Sequence, residues 1–452
     1  MKVLFIAYHF PPFGGAGAQR SAKLVRYLPE HGVQPLVVTR PLSAESRWSP
    51  VDVSQEADVP VGTSIYRGSL PGPPRPSPLR GRLERWIRAR SQFASWWSEC
   101  CIKAGLRAAS EHSIDLIYVS MDPFEGADPA RWLAQRLGIP WVADLRDPWA
   151  LDEMRVFPSR LHRALETNRM RSALRSADLV IMNTPRASRA VREQLFRPPC
   201  PPVVTLTNGF DASDFAGLAP QRTDRWFRIV HTGYLHTALG LRHRRSRLWR
   251  RIFGGERVPV DILTRSHVVL LRALEIWSEK HPTEARSVRL LLAGPLTSAD
   301  KRAIEQSKVR DLVRVEGLVP HKQSVDLLRS ADALFLPMQR LERGESFIVP
   351  GKTYEYMAAG PPILAAVPEG DTRDLLRRNS EAQIVDPGDA HAMVDALRWL
   401  RYKRACTSER QDERLARLKR FDRRTLAQNL SLWFHEIAKG EQPTDDGALA
   451  GG

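Results

Sequence analysis

Pro350-Gly351-Lys352-Thr353-Tyr354-Glu355-Tyr356-Met357-Ala358-Ala359-Gly360, followed by Pro361-Pro362-Ile363-Leu364-Ala365-Ala366-Val367, is the stretch whose reading decides the fold. Pro350 and Gly351 break the chain, Lys352 to Ala359 reads as a short helix of good formers, and Gly360 supplies its C-cap. Pro361-Pro362 forbids continuation, and the apolar run Ile363 to Val367 reads as a buried strand. A helix N-terminus therefore opens where Gly351 lets a ligand approach the backbone. Lys352 in the first turn opposes the helix dipole unless an anion sits beside it. Glu355 shares a helix face with Lys352 and can accept hydrogen bonds from a sugar diol. A phosphate and a ribose side by side would suit this element. An ordinary loop–helix–strand carrying a surface Lys–Glu pair suits the same residues.

Strand and helix alternate outward from it. Downstream, Asp371 to Arg378 reads as helix and Ile384-Val385 as strand, and an Arg-rich helical tail runs from Ala390 to about Ala438. Upstream, the strands Phe227–His231, Arg289–Ala293, Val313–Glu316 and Ala333–Leu336 run into Thr232-Gly233-Tyr234, Gly294-Pro295, Gly317 and Pro337. Helices Thr264–His281, Asp300–Ser307 and Gln323–Ser330 separate them. The segment Arg242 to Arg251 holds six Arg within ten residues, which repel one another unless solvent or an anion relieves them. A solvated insertion and a phosphate or lipid-headgroup contact are both open readings.

The first half repeats the pattern. Lys2 to Tyr8 is a strand, Ser21 to His31 a helix and Gln34 to Thr39 a second strand, with Pro11-Pro12-Phe13-Gly14-Gly15-Ala16-Gly17 at the carboxyl end of the first, the usual ligand position in doubly wound sheets. Arg20 stands where a G-x-G-x-x-G dinucleotide fingerprint needs its third glycine. A loop facing a phosphate or a sugar with its N–H groups fits better. Pro41 to Pro78 reads as a long excursion. Leu79 to Ala109 reads as a basic helical stretch whose Trp86, Ile87, Phe93, Trp96 and Trp97 suit a core or a membrane interface. Strands Ile114–Ser120, Pro140–Asp144, Leu179–Met182 and Val203–Leu206 follow, separated by helices Pro129–Leu137, Leu161–Ser176 and Ala187–Leu195. The strand ending in Asp144-Leu145-Arg146-Asp147-Pro148-Trp149 puts two carboxylates and an Arg either in a polar cleft or in an Arg–Asp network at a sheet edge. Thr207-Asn208-Gly209-Phe210-Asp211 is a turn that marks a hinge out of the first domain.

A chain of 452 residues exceeds one ordinary core, and two domains of roughly 200 residues are expected. Its 42% hydrophobic and 26% charged content is that of a soluble globular protein, and no apolar run approaches the roughly 18 residues of a membrane span. The opening residues read as a strand rather than a leader. Cys100, Cys101, Cys200 and Cys406 lack metal-type spacing, which indicates a reducing compartment without structural disulfides. The net charge of +17 calls for an acidic partner such as nucleotide phosphates or anionic lipid. A basic strand interleaved with aromatics, the RNA-binding signature, is missing, so no nucleic-acid partner is expected. The expected fold is α/β, with two facing Rossmann-like domains and a cleft between them. The expected divisions are an N-terminal domain over 1–215, a C-terminal domain over 225–400, a helical tail over 401–440 packing back on the first domain, and a disordered end over 441–452.

Taken in order, several separated pieces resemble glycosyltransferase family four, the retaining enzymes of the two-Rossmann-domain (GT-B) architecture. They are Tyr8-His9-Phe10-Pro11-Pro12 with Gly14-Gly15, then Asp144 to Trp149, Asn208-Gly209-Phe210-Asp211, Gly233, Ala293-Gly294-Pro295, Val315-Glu316-Gly317-Leu318-Val319, Ser330-Ala331-Asp332 and Pro350 to Tyr356. The resemblance spans roughly 1–400. It implies that a sugar moves from a nucleotide diphosphate sugar to a hydroxyl acceptor on a glycan or lipid-linked oligosaccharide, in cell-surface polysaccharide biosynthesis. It implies that Glu355 holds the ribose, that Gly233, Gly294, Gly317, Gly351 and Thr353 line the donor, and that Arg265, Lys352 and Glu355 are the catalytic groups. Gly14, Gly15, Asp144, Arg146 and Asp147 would serve the diphosphate or the acceptor. No metal and no cofactor beyond the donor are expected, since the basic residues can carry the diphosphate charge. A cytoplasmic location, with peripheral contact at the anionic inner membrane face, fits the charge and the Trp-rich helix.

This chain departs from the family's pattern in three places. Tyr234 holds the usual Arg position, for which one of the Arg242–Arg251 cluster is the candidate substitute. Phe347 stands where the first glutamate of E-x7-E belongs, with Glu345 two residues earlier. The first-domain loop Met121-Asp122-Pro123-Phe124-Glu125-Gly126 lacks the family's His, which leaves His9 or Glu125 to serve. Two other functions share the architecture: a sugar-nucleotide epimerase, and a catalytically degenerate protein that binds a sugar nucleotide or a partner.

Overall fold

The computed structural model describes residues 1–43, 51–70, 92–217, 220, 222–246, 249, 252–403 and 410–443. Residues 44–50 and 71–78 of the expected excursion, residues 79–91 of the expected Leu79–Ala109 helical stretch with its Trp86 and Ile87, Arg247, Arg250, Arg251, Cys406 and residues 444–452 of the expected disordered end lie outside them. The chain forms two units. The first gathers Met1–Trp149, Glu166–Asn208 and the segment from Arg423 on, and the second gathers Ala150–Leu165 and Gly209–Asp422.

The first unit is built on a seven-stranded sheet: β1 (Lys2–Ala7), β2 (Gln34–Thr39), β3 (Ile65–Arg67), β4 (Leu116–Ser120), β5 (Trp141–Leu145), β6 (Leu179–Met182) and β7 (Val203–Thr205). Their order is β3-β2-β1-β4-β5-β6-β7, with every pair parallel. Continuous apolar runs such as Val3-Leu4-Phe5-Ile6 are what a sheet covered on both faces demands. The helix after β1 starts at Ala16, five residues before the expected Ser21, because Gly15 takes φ 99° and caps it. The excursion after Pro41 contains β3, which reads as loop in the sequence. The helix Arg423–Ala438 belongs to this unit, where Leu426, Leu430, Trp433 and Phe434 share a core with Val3, Phe5 and Tyr118.

The second unit carries six parallel strands: β8 (Phe227–Thr232), β9 (Val288–Ala293), β10 (Val313–Gly317), β11 (Ala333–Pro337), β12 (Ile363–Ala366) and β13 (Ala382–Val385). Their order is β10-β9-β8-β11-β12-β13, the doubly wound pattern that reverses direction between β8 and β11. Ligands of such sheets bind outside the carboxyl ends of the strands at that reversal. The long tail expected from Ala390 divides into helices Ala390–Lys403, Gln411–Arg417 and Arg423–Ala438.

The observed division differs from the expected 1–215 and 225–400. Ala150–Leu165 leaves the first unit because its residues are anchored on second-unit groups: Phe157 N–H donates to the Gly255 carbonyl (3.0 Å) and the Leu151 carbonyl accepts from Arg257 (3.0 Å). The exit is marked by Trp149, a non-glycine residue at φ 48°. That left-handed conformation is offset by a parallel stack on Phe124 (4.8 Å) and a hydrogen bond from the indole to Glu166 (2.8 Å). Among the described residues no helix is long and apolar enough to cross a membrane.

Candidate functional site

The carboxyl ends of β8, β9 and β10 each finish in a glycine. Gly233 (φ 98°), Gly294 (φ 138°) and Gly317 (φ 72°) all adopt backbone conformations that side chains disfavour. Gly233 N–H donates to the Ala293 carbonyl (2.7 Å) and Gly294 N–H to the Gly317 carbonyl (2.6 Å), which ties the three into one shelf. A Cβ on Gly294 would run into the backbone of Gly233, so the shelf exists only with glycine there.

Lys352 reaches this shelf from the first turn of the helix Lys352–Ala359, whose limits are those the bracketing Pro350 and Gly360 predict. Its ammonium donates to the Thr232 carbonyl (2.6 Å) and to His231 Nε2 (3.3 Å). The other ring nitrogen of His231, Nδ1, faces the Phe335 carbonyl on β11 at 3.0 Å. A carbonyl can only accept, so Nδ1 carries the proton and Nε2 offers a lone pair to the lysine. Burial first, and the lysine's charge second, hold His231 well below its ordinary 6.5 and keep it neutral. The lysine thus sits at the β8/β11 reversal, held by one strand and by a histidine locked to the other.

Arg265 lies ahead of the helix Val268–Lys280, with its guanidinium on Gln339 Oε1 (3.1 Å). Burial, then the charge of Arg265, lower the Lys352 pKa from 10.5 to about 7 against the opposing pull of Glu355. Two cations are therefore held together in a partly desolvated place, with no carboxylate within 4 Å of the Lys352 ammonium among the described residues. Such an arrangement costs free energy until an anion fills it. Glu355, half-buried one turn along the helix, completes the group. A Cβ at Gly351 would meet nothing within 4 Å, so the helix start is open. Thr353, grouped with the donor residues in the sequence, is fully buried and its hydroxyl faces inward, so only its backbone is available.

Sequence reasoning missed the groups behind this row. Gln339 Nε2 donates to Glu153 Oε1 (3.0 Å), and the Ser346 hydroxyl donates to the same oxygen. Glu153 is buried, and desolvation raises its pKa above the ordinary carboxylate value. Phe347, at the family's first-glutamate position, carries the Arg257 guanidinium over its ring at 4.2 Å. Of the cluster read as a source for the missing Arg, Arg244 pairs with Asp261, and Arg247, Arg250 and Arg251 lie outside the described residues. One cue was available for His231, a polar residue directly after the apolar pair Ile229-Val230 near the carboxyl end of β8.

In the first unit, Asp144 corrects its reading as a ligand group. It is buried, and it accepts two bonds from Arg20 (3.2 and 3.0 Å) and one from the Tyr118 hydroxyl. The network lies inside the sheet on β5 rather than at an edge. Arg20, the residue that spoils the dinucleotide fingerprint, also donates to the carbonyls of Leu206 (3.3 Å) and Thr207 (2.9 Å). Arg146 pairs with Asp122 and approaches Asp147 (3.9 Å). A Cβ at Gly17 would overlap the Arg146 guanidinium, so that glycine admits the arginine to the start of the helix Ala16–Tyr27. His9 stands 3.5 Å from Asp122, and burial, Arg146 and Arg40 lower its pKa to about 3, so it is a neutral imidazole at neutral pH. Gly14 is buried and Gly15 is the helix cap.

Two doubly wound α/β units, one bearing a glycine shelf and paired cations at its strand-order reversal, define a protein of the GT-B fold. The chain matches the glycosyl transferase 4-like domain over residues 15–209 and the glycosyl transferases group 1 domain over 264–401. It belongs to the family-four, group 1 glycosyltransferases. It is 25% identical over 144 residues to WcaL of Escherichia coli K12, a protein named as a colanic acid biosynthesis glycosyltransferase. That match covers 31% of this chain and 35% of WcaL, about a third of the relative's length. Among solved structures, it resembles sucrose-phosphate synthase of Thermosynechococcus elongatus (TM-score 0.66, 14% identity, covering 98% of this chain and 100% of that one). It also resembles HepE of Anabaena, solved with UDP and glucose (TM-score 0.60, 17% identity, covering 96% and 99%). At these identities the likeness establishes the fold.

Proposed function

We propose that this protein transfers a sugar from a nucleotide diphosphate sugar to a hydroxyl acceptor, with retention at the anomeric carbon, in the assembly of a cell-surface polysaccharide. The observation that carries the reading is the pairing of Lys352 with Arg265 at the β8/β11 reversal, above the Gly233–Gly294–Gly317 shelf. When the bond from the anomeric carbon to the diphosphate oxygen breaks, negative charge gathers on the leaving group. Two preorganised cations and the open N-terminus of the helix Lys352–Ala359 stabilise that charge more than they stabilise the intact donor. Glu355 then holds the ribose diol. The new bond forms from the acceptor oxygen on the same face, and its proton passes to the departing diphosphate oxygen. The cations take the part a divalent ion plays elsewhere, so the proposal includes no metal. Gly14, Gly15, Arg146 and Asp147 are the candidates for the acceptor side.

The polysaccharide setting draws on the name of WcaL, and the nucleotide sugar on the UDP and glucose in HepE. A glycan or lipid-linked acceptor, a cytoplasmic location and contact with an anionic membrane draw on the charge of +17. The test is a thermal-shift panel of nucleotide diphosphate sugars on the wild type and on Glu355→Ala. One donor should stabilise the wild type, by roughly 2.7 kcal/mol at 100-fold excess over its dissociation constant. A shift that persists undiminished in Glu355→Ala would remove the ribose assignment, and the absence of any donor shift in the wild type would remove the function.

A further inference from the structure

The second unit holds another concentration of positive charge, whose lining includes neither Lys352 nor Arg265. A cavity of about 580 Å3 is lined by Arg160, Arg163, Arg257 and Arg343, with Glu256 and Glu342 as its acidic members. Glu256 is already engaged, since its carboxylate meets the buried His243 ring at 3.0 Å. Among the described residues, none of Arg160, Arg257 and Arg343 has a carboxylate within 4 Å. Arg257 is the most telling. Its guanidinium is half-buried, donates to the neutral Leu151 carbonyl (3.0 Å) and lies over the Phe347 ring (4.2 Å). Desolvation, opposed by Glu153 and aided by the like charge of Arg163, pulls its pKa below the ordinary guanidinium value.

The walls are tied down before any ligand arrives. Phe157 N–H donates to the Gly255 carbonyl (3.0 Å), Arg163 to the Glu256 carbonyl (2.9 Å) and Glu342 N–H to the Pro259 carbonyl (3.1 Å). The loop at Gly254 turns through φ 62°, and a Cβ there would overlap the arm of Arg160, so the glycine lets that side chain lie flat against the backbone. A Cβ on Gly255 would meet the Phe157 carbonyl, which fixes the same turn from its other side. Four guanidinium groups are thus gathered around a space large enough for a ligand, and like charges brought this close repel one another unless an anion lies between them.

We propose that this cavity binds a phosphoryl group, as a phosphate or diphosphate monoester, on a ligand other than the sugar donor. A tetrahedral dianion presents oxygens in several directions and suits convergent guanidinium forks better than a planar monoanionic carboxylate does. Two sources offer this chemistry: a soluble phosphorylated compound, or a lipid whose head group ends in phosphate. That the ligand is not the donor rests on the proposed function, whereas the anion site itself does not.

The experiment titrates inorganic pyrophosphate into the full chain by calorimetry, in wild type, in Lys352→Met, and in Lys352→Met carrying Arg160→Gln and Arg343→Gln. Both arginines are exposed, so their replacement leaves the buried network intact. Lys352→Met should keep one pyrophosphate site, and the added pair should weaken it roughly tenfold or more. In an otherwise wild-type chain, Arg160→Gln with Arg343→Gln should leave the nucleotide-sugar thermal shift unchanged. A Lys352→Met protein that binds no pyrophosphate, or a triple variant that binds it as tightly, overturns the proposal. A pyrophosphate site without any donor shift would sink the donor reading alone. Sedimentation with phosphatidylcholine vesicles containing phosphatidic acid then separates the sources. Binding abolished by the arginine pair assigns a lipid head group, and pyrophosphate binding without sedimentation assigns a soluble ligand.

Discussion

Lys352 should take up a proton when the donor binds. In the ligand-free protein its pKa is about 7 rather than 10.5, because the ammonium is desolvated and faces Arg265. At 1.36 kcal/mol per pH unit, holding that charge in the empty site costs roughly 5 kcal/mol as an upper bound. A diphosphate placed on the same cations reverses the balance and restores a pKa well above neutrality. If only the ammonium form binds tightly, about nine-tenths of the free protein is competent at pH 6 and about one-tenth at pH 8, so apparent affinity falls roughly tenfold across that interval. Binding at pH 8 should then absorb close to one proton, and binding at pH 6 almost none. The intact donor is the ligand to use, since a sugar-linked diphosphate has no ionisation of its own near neutrality. Calorimetry in Hepes and in Tris measures the uptake from the difference in apparent enthalpy. Lys352→Met should abolish both the uptake and the pH dependence. It should also stabilise the empty protein below pH 7, because the unfolded lysine is freely charged there while the folded one is charged at a cost. That cost is relieved as pH rises from about 7 towards 10.5. Donor binding with no proton uptake at pH 8 and an affinity flat between pH 6 and 9 would refute the argument.

His231→Leu removes the acceptor that aims the Lys352 ammonium and strands the Phe335 carbonyl. It should weaken donor binding by about 1–3 kcal/mol in calorimetry, with a smaller loss in His231→Asn if the amide can still bridge the two groups. Gly294→Ala forces a Cβ into the Gly233 backbone at φ 138°. It should cost upwards of about 2 kcal/mol in urea unfolding and lose the donor-dependent thermal shift as well. Asp144→Ala leaves the buried Arg20 guanidinium without its counter-charge. It should destabilise the first unit by roughly 3–5 kcal/mol in denaturant, and Tyr118→Phe, which removes one hydrogen bond, by about 1–2 kcal/mol.

The parts of the fold that the sequence discloses are those where local chemistry leaves one solution. Lys352–Ala359 is bounded by Pro350 on one side and by Gly360-Pro361-Pro362 on the other, and β2 (Gln34–Thr39) is an apolar run that no helix period fits. Where backbone geometry replaces side-chain pattern, the reading slips. The helix from Ala16 opens in Ala and Gly, which look like loop until Gly15 is seen to cap it from positive φ. β3 is three residues long in a stretch rich in Pro and Gly, and it becomes a strand only because β2 offers it a parallel edge. The tail from Ala390 keeps a helical period across its breaks, so the period alone could not divide it.

The candidate site divides along the same line, and Glu153 shows why. Gly233, Gly294, Gly317 and Lys352 each stand just past a strand or at a helix start, where the alternation of elements predicts a ligand. Glu153 follows Trp149-Ala150-Leu151-Asp152 in a stretch with no periodicity, and it meets Ser346 and Gln339 from 186 to 193 residues away in sequence. A carboxylate so buried is costly unless it does something that a neutral group cannot. Here it fixes Gln339 from below while Gln339 accepts from Arg265, so the arginine that opposes Lys352 is set in place by a charge borrowed from a distant segment. Glu153→Gln keeps the shape and much of the bonding but removes that charge. Its effect should therefore fall on the pKa of Lys352, read as a changed proton uptake on donor binding, more than on stability. A purely structural Glu153 would give the opposite pattern, with urea unfolding shifted and proton uptake unchanged.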